Sequence, residues 1–332
     1  MSVASNNVLD PSFLPAAAGP LLGGSAAMLE VFRLIERVAP TEASVLLTGE
    51  SGSGKELAAQ SIHDRSLRSG GPFVAINCGA IPAGLIEAEL FGYEKGSFTG
   101  AVRGHAGVFE RANGGTLLLD EVTEMPADMQ TRLLRVLETH RFYRVGANIE
   151  QSTDVRVIAA TNRCPLQAVQ SGQLREDLLY RLAVFPIDLP PLRARGQDVE
   201  LLAEHFLAQL NEQAGTQKRL TPLARITLRQ HTWPGNVREL RNCVERAFIL
   251  ADRELELAPL IQNSGARGDA GAPERLDIRV GSRIYDMERS LIEATLDYFQ
   301  GNKRRAADAL GCSLKTLYNK LNGYAQSQCA NS

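Results

Sequence analysis

The sequence predicts an α/β fold, a parallel sheet buried on both faces, followed by a smaller helical region and a separate all-helical C-terminal domain. Three observations carry this. Short apolar runs with recurring β-branched residues alternate with helix-length segments over the first large block. A glycine-rich segment stands between the first of these runs and a helix. Strand signals then stop at the PPL turn at 190–192 and helical periodicity takes over.

Length and composition fit this reading. The 332 residues, 44% hydrophobic and 22% charged, are too many for one core and too apolar for a disordered chain. A formal charge of −2 gives the whole molecule no excess positive field, so any basic surface for nucleic acid must be local. No apolar stretch reaches the roughly 18 residues of a membrane span, and the N-terminus lacks a basic segment followed by an apolar core, so a cytoplasmic protein is expected. The five cysteines (Cys78, Cys164, Cys243, Cys312 and Cys329) are single, odd in number and without zinc-site spacing. They read as reduced thiols, and the unclustered histidines give no sign of a metal centre.

In chain order, residues 1–20 are a poorly patterned extension, and the α/β block runs over 21–190. Its predicted strands are SVLLTG (44–49), PFVAINC (72–78), GTLLLDEV (115–122) and DVRVIAATN (154–162), with helices between them. A helical lid over 191–260 is expected to hold helices near 198–213, 221–230 and 237–250, with Thr221 as a cap and Pro222 in a first turn. Residues 261–277 form a linker, because NSGARGDAGAPE (263–274) is too rich in small and polar residues to build a core. Over 278–332, the segment 285–299 has helical periodicity, and 306–310, Gly311 and 313–321 fit helix, turn and second helix. From residue 299 onward Lys303, Arg304, Arg305, Lys315 and Lys320 face a single acid, Asp308, which concentrates the positive charge there.

The chemistry begins at GESGSGKE: Gly49, Glu50, Ser51, Gly52, Ser53, Gly54, Lys55 and Glu56. After a strand and before a helix, such glycines let backbone N–H groups converge on phosphate oxygens, the helix N-terminus adds partial positive charge, and Lys55 reaches the terminal phosphates. Glu56 stands where a Ser or Thr commonly ligates Mg²⁺, so the metal must lean on another residue. Asp120 and Glu121, ending the strand GTLLLDEV, supply that need: Asp120 would hold Mg²⁺ through water and Glu121 would polarise the attacking water. Asn77, at the end of PFVAIN, could hold Glu121 away from water until nucleotide or partner contact releases it, and Thr161 and Asn162, at the end of VIAATN, could sense the γ-phosphate; a capping or turn role is the equal alternative for each.

Laid beside ELFGYEKGSFTGA (89–101), these residues make the chain resemble the AAA+ bacterial enhancer-binding proteins that activate sigma-54 RNA polymerase. The family's signature loop is GAFTGA. Here Gly96, Ser97, Phe98, Thr99, Gly100 and Ala101 read GSFTGA, keeping the Phe–Thr pair that the family uses on sigma-54 and adding a hydroxyl at Ser97. The resemblance implies an AAA+ sheet with a helical lid, binding ATP with Mg²⁺, in a ring that is a hexamer. LREDLLYRL (174–182) resembles the arginine-finger segment, which assigns Arg175 and Arg181 to the γ-phosphate of a neighbouring subunit. WPGNVREL (233–240) resembles the second sensor, which assigns Arg238 to the nucleotide of its own subunit, and LLGGSAAM (21–28) the segment around adenine. Glu56 is also the family's residue at the end of the phosphate loop.

The closing pattern resembles the family's Fis-type helix-turn-helix, with Ala306, Ala307, Leu310, Leu317 and Leu321 packing the helices and Lys315, Thr316, Tyr318, Asn319 and Lys320 left for enhancer DNA. About twenty residues precede the ATPase block, too few for a receiver domain, so control is expected from elsewhere, for example from a regulatory partner acting in trans. A protein-unfolding or DNA-remodelling machine of the same ATPase class should lack the GSFTGA insertion and the terminal DNA module, and both are present. A regulator with a dead nucleotide site should have lost Lys55, Asp120, Glu121 or the arginines, and it keeps all of them.

Overall fold

The computed structural model describes residues 16–18, 21–97 and 103–257, and separate positions between 288 and 321. The chain divides into two compact units, Met1–Ile261 and Gln262–Ser332. The centre of the first is a five-stranded, all-parallel sheet of β1 (Val45–Thr48), β2 (Phe73–Asn77), β3 (Thr116–Asp120), β4 (Arg156–Thr161) and β5 (Phe185–Asp188) in the order β2-β3-β4-β1-β5. The first four are the predicted strands. The fifth was not predicted: FPID is four residues long and carries Pro186, which a sheet tolerates here because β5 is an edge strand paired only with β1.

Residues alternate between two cores, as a sheet covered on both faces requires. Leu117 and Leu119 enter one core with Leu46, Phe91, Phe109, Leu133 and Leu178, while Leu118 enters the other with Met28, Ile35, Leu47 and Ile62. Helices α1 (Ala26–Val38) and α2 (Lys55–Asp64) supply the second face. Helices α3 (Ile86–Phe91), α4 (Val108–Arg111), α5 (Ala127–Thr139), α6 (Pro165–Gln170) and α7 (Glu176–Leu182) supply the first. An antiparallel hairpin of Arg141–Tyr143 and Glu150–Ser152 follows α5. Within the expected N-terminal extension, Ala16–Ala18 pairs antiparallel with Leu21–Gly23.

The lid is α8 (Asp198–Ala214), α9 (Pro222–Gln230) and α10 (Asn236–Leu250), closed by a short parallel pair of Arg219–Leu220 and Glu254–Leu255. Thr221 caps α9 as predicted, accepting from Ala224 N at 3.0 Å, with Pro222 in the first turn. Trp233, the single tryptophan of the chain, is wholly buried in the lid core and donates its indole N–H to Leu228 O at 2.9 Å. Asp198 accepts from Gly24 N, Ser25 N and Ser25 Oγ at 2.7, 3.0 and 2.7 Å, which fastens the LLGGS segment to α8.

In the second unit the described residues 288–289, 291–292, 295–296, 306–307 and 314–318 are helical. Ile292, Ala306, Ala307 and Leu317 are buried together, with Leu310 and Leu321 packed against them. Gly311 sits at the turn with φ +65°, a left-handed conformation that favours glycine. The predicted linker lies outside the described residues. Cys78 and Cys243 are buried, which pushes their thiols up to about 12 and about 11, as expected of unreactive fillers.

Trp233→Ala should destabilise the lid by about 3–5 kcal/mol, the cost of emptying a large buried aromatic site. Trp233→Phe, which keeps most of the apolar volume and loses the indole donor, should cost about 1–3 kcal/mol. Urea denaturation followed by far-ultraviolet circular dichroism measures both, and equal losses would show that the hydrogen bond, and not the packing, dominates.

Candidate nucleotide-binding site

Parallel register brings the candidate residues to one edge of the sheet. The glycine-rich loop leaves β1 at Thr48 and enters α2 at Lys55, and β4, whose Thr161 pairs with Thr48, lies between β1 and β3. Asn77 and Asp120 are direct partners across β2 and β3. The carboxyl ends of β1, β2, β3 and β4 therefore open on the same side, where open α/β sheets place their ligands.

Lys55 is 8% exposed and donates to Gly49 O and Glu50 O at 2.7 and 3.1 Å. Burial lowers the pKa of its ammonium, opposed by the nearby charges of Asp120 and Glu121. The buried hydroxyl of Ser53 has no hydrogen-bond partner, although buried polar groups are normally satisfied. A glycine-rich loop opening into a helix, with a lysine and an orphaned hydroxyl, fits a polyphosphate. Beside it is a cavity of about 170 Å³ lined by Leu21, Leu22, Gly54, Leu57, Phe206 and Val237 among others, so the LLGGSAAM segment does border the loop.

The acids occupy the neighbouring strand end. Asp120 accepts from Glu121 N at 3.0 Å, and Glu121 has φ +52°, an uncommon backbone conformation for a residue with a side chain. Asn77 bonds to its strand partner and to the turn that follows it. Its amide reaches Asp120 Oδ2 at 3.4 Å, and its carbonyl oxygen accepts from Gly79 N and Ala80 N at 2.9 and 3.0 Å. Glu121 Oε2 instead lies over Gly79, where an added Cβ would stand 2.6 Å away. The cause is register: the Asn77 side chain faces its strand partner Asp120, while Glu121 has already left the strand.

Asp120 and Glu121 are hard oxygen donors of the kind Mg²⁺ takes together with water and phosphate oxygens. Among the described residues no group of three or more His, Cys, Asp and Glu side chains is gathered for a metal, so Mg²⁺ here would be shared with the nucleotide. Glu56 is exposed on the first turn of α2.

Thr161 is turned inward. It is wholly buried, its hydroxyl lies 3.0 Å from Thr123 Oγ1, and it accepts from Arg163 N at 3.1 Å, so it braces the strand end from within. Asn162 is the exposed member of the pair. Arg175 and Arg181 are both exposed, on the last turn before α7 and on α7 itself. Arg175 pairs with Asp177 at 2.7 Å and Arg181 donates to Leu137 O at 2.7 Å, contacts made on their own side of the subunit.

From the lid, Arg238 donates to Ser51 Oγ at 3.1 Å, which brings the expected second sensor against the loop. Four further residues of the 191–260 region reach it: Arg193 donates to Glu50 Oε2 at 2.8 Å, Asn236 to Ser51 O at 3.0 Å, Val237 N to Gly52 O at 3.0 Å and Arg195 to Ser53 O at 2.5 Å. Gly52 has φ +75°, and a Cβ there would meet Gly235 O at 2.5 Å, so this glycine serves the lid's approach as well as phosphate. Sequence reading missed Arg193, Arg195 and Asn236. WPGN was visible, but only tertiary structure shows what its asparagine touches.

Of the GSFTGA loop, Phe98, Thr99, Gly100 and Ala101 lie outside the described residues, while Gly96 and Ser97 lie within them. The stem is tied down by Arg144, which donates to Glu94 at 2.9 Å and Glu110 at 2.5 Å, and by Tyr93, whose backbone exchanges hydrogen bonds with His105 at 3.0 and 2.9 Å. Ser97 packs so closely on the hairpin turn that a Cβ at Gly146 would come within 2.7 Å of its own. In the second unit Lys315 and Tyr318 are exposed, Thr316 Oγ1 lies 2.7 Å from Ser313 Oγ, and Lys320 pairs with Glu288 at 2.5 Å. Asn319 lies outside the described residues.

The chain matches three protein families: the sigma-54 interaction domain over residues 21–188, the AAA+ ATPase lid domain over 193–273 and the Fis family of bacterial regulatory proteins over 284–324. It is 44% identical over 352 residues to the DNA-binding transcriptional regulator NtrC of Azospirillum brasilense, covering 96% of this chain and 73% of that one. It is also 44% identical over 320 residues to the transcriptional regulatory protein FlbD of Caulobacter vibrioides, covering 92% and 70%. The crystal structure of NtrX from Brucella abortus superposes with a TM-score of 0.70 at 37% identity, over 91% of this chain and 68% of that one. The same protein in complex with ATP gives a TM-score of 0.68 at 37% identity, over 92% and 69%. An AAA+ parallel-sheet domain with a helical lid and a Fis-type helix-turn-helix, found together in one chain, identify it as a member of the sigma-54-dependent enhancer-binding transcriptional activators.

Proposed function

We propose that this sigma-54-dependent activator hydrolyses ATP with Mg²⁺ in a ring of subunits, binds enhancer DNA upstream of its promoters and remodels the closed complex of sigma-54 RNA polymerase into an open one. The observation that carries the reading is the meeting of Lys55, Asp120 and Glu121, close enough for the carboxylates to act on the lysine's charge, at the mouth of a loop that Arg238 also reaches. Binding of ATP by the related NtrX supports the nucleotide assignment.

In this reading the cradle Gly49–Glu56 binds the phosphates, and Lys55 offsets their charge. Asp120 would hold Mg²⁺ through water, and the ion would add to the compensation of the phosphate charge. Glu121, as a carboxylate, orients water for attack on the γ-phosphorus and accepts its proton as the bond to the ADP oxygen breaks. Asn162 sits where it can report the γ-phosphate, with Thr161 as its brace and Asn77 as the partner of Asp120. Arg175 and Arg181, exposed on α7, are proposed to complete the site of a neighbouring subunit in a hexameric ring, which supplies positive charge as the transition state needs it. The GSFTGA loop, with Phe98 and Thr99 at its centre and Ser97 docked on the hairpin turn, passes the nucleotide state to sigma-54 in the cytoplasm. DNA binding falls to the C-terminal helices, through Lys315, Thr316, Tyr318, Asn319 and Lys320.

Lys55→Ala should abolish nucleotide binding, whereas Glu121→Gln should bind ATP and lose about 100-fold or more in kcat, because the lysine acts on the ground state and the glutamate on the attacking water. Fluorescent-nucleotide titration and steady-state phosphate release separate the two, and normal turnover by the glutamine variant would overturn the assignment.

Thr99→Ala should leave ATP hydrolysis within about twofold of the parent yet eliminate open-complex formation at a sigma-54 promoter, since the loop acts on polymerase and not on phosphate. Ser97→Ala should stay active. Permanganate footprinting of the promoter is the readout, and normal melting by the Thr99 variant would remove the loop from the mechanism.

On DNA, Lys315→Ala should weaken binding to all sequences and lower the log–log salt slope by about one, the mark of one lost phosphate contact. Asn319→Ala should change sequence preference if it reads a base edge. Binding isotherms across a salt series measure both effects, and an unchanged slope would take Lys315 off the phosphates.

A further inference from the structure

Glu50 is an odd residue to find in a phosphate loop. A carboxylate one position beyond Gly49 repels the anion that the loop exists to bind, so its presence asks for a different partner. The structure supplies one. Arg193, between β5 and α8, grips both oxygens of Glu50 at 2.8 and 2.5 Å, and Asn236, the first residue of α10, donates to Oε2 at 3.1 Å. These two partners hold the Glu50 carboxyl down at about 2, so it remains an anion facing the lid.

Asn236 is built for this place. It is wholly buried, its backbone is left-handed at φ +52°, its carbonyl oxygen accepts from Leu192 N at 2.8 Å and its amide also serves Ser51 O at 3.0 Å. One side chain thus joins the loop, the segment leading into the lid and the start of α10. Arg238 stands two residues further along the same helix, at Ser51. Whatever fixes Asn236 against Glu50 fixes where Arg238 reaches. Arg193 and Glu50 are 48% and 41% exposed, so their pair is the part of the contact that water can open, while Asn236 is the buried pivot.

We propose that Glu50, Arg193 and Asn236 form a positioning clamp that sets the lid angle and thereby aims Arg238 at nucleotide held in the loop. This rests on the reading of the loop as an ATP site. Glu50 is then a positioning residue, its side chain acting on nucleotide only through the lid, and it is the loop's own sensor of lid closure. Arg193→Glu places two carboxylates face to face and should loosen the lid while leaving the glycines and Lys55 of the loop in place.

The test is a cycle in the full chain, read as KM and kcat for ATP. Arg193→Glu should raise KM about tenfold, with kcat reduced less, when Arg238 is present, and should change it less than twofold in an Arg238→Ala background, because the two act through one contact. An equal effect of Arg193→Glu in both backgrounds would overturn the clamp. Arg193→Gln, a milder change at an exposed position, repeats the cycle if the glutamate variant does not fold, as judged by its melting curve. Binding of a fluorescent ATP analogue to Lys55→Ala separates the two levels: retained binding refutes the nucleotide site itself, while lost binding with an additive cycle refutes the clamp alone.

Discussion

The constraint on which everything else depends is the parallel register of β1, β2, β3 and β4. Because Thr48 pairs with Thr161 and Asn77 with Asp120, strands distant in sequence finish level with one another, and their loops share one edge. A slip of one residue would turn Leu117 and Leu119 out of one core and Leu118 out of the other, so hydrophobic burial on both faces fixes the register that the chemistry uses. The lysine and the acids meet as a consequence of packing that has nothing to do with nucleotide.

Buried cations make a second theme. Arg156 and Arg195 are almost wholly buried and are held by backbone carbonyls. Arg156 donates to Val38 O and Ala39 O at 2.8 and 2.6 Å, where the C-terminus of α1 presents its unpaired carbonyls and negative dipole end. Arg195 joins Pro190 O and Ser53 O at 2.9 and 2.5 Å, and burial pulls its pKa down to about 10. The first arginine ties α1 to the sheet. The second ties the segment leading into the lid to the phosphate loop, so the loop is gripped at Glu50, Ser51, Gly52 and Ser53 in succession by groups outside the sheet.

The same economy appears at the GSFTGA stem. Arg144 projects from the hairpin to two glutamates that flank the loop in sequence, Glu94 before it and Glu110 after it, and these partners raise its pKa. The stem is thereby closed at its base while Gly146 gives Ser97 room to pack. The buried Ser97 hydroxyl, the group that distinguishes this loop from GAFTGA, has no hydrogen-bond partner here.

Much of this was written in one dimension. Period and composition marked four of the five strands and all three lid helices, Thr221 and Pro222 marked a helix start, and the spacing of Gly49–Glu56 before Asp120 and Glu121 marked the phosphate chemistry, because such signals are local: a cap, a turn or an alternation needs only its neighbours. What stayed hidden was whatever depends on a partner far along the chain. The strand FPID is recognisable only because β1 offers it an edge, Asn77 meets Asp120 because register faces it that way, and Thr161 turns inward because Thr123 waits there. Glu50 reads in sequence as one more residue of a phosphate loop, and only the folded chain brings Arg193 and Asn236, 143 and 186 residues away, to its carboxylate. Sequence by itself determined which segments were strands and helices and which residues could bind phosphate; tertiary structure decided which of them touch, since long-range contacts are set by how the cores close and not by any local preference.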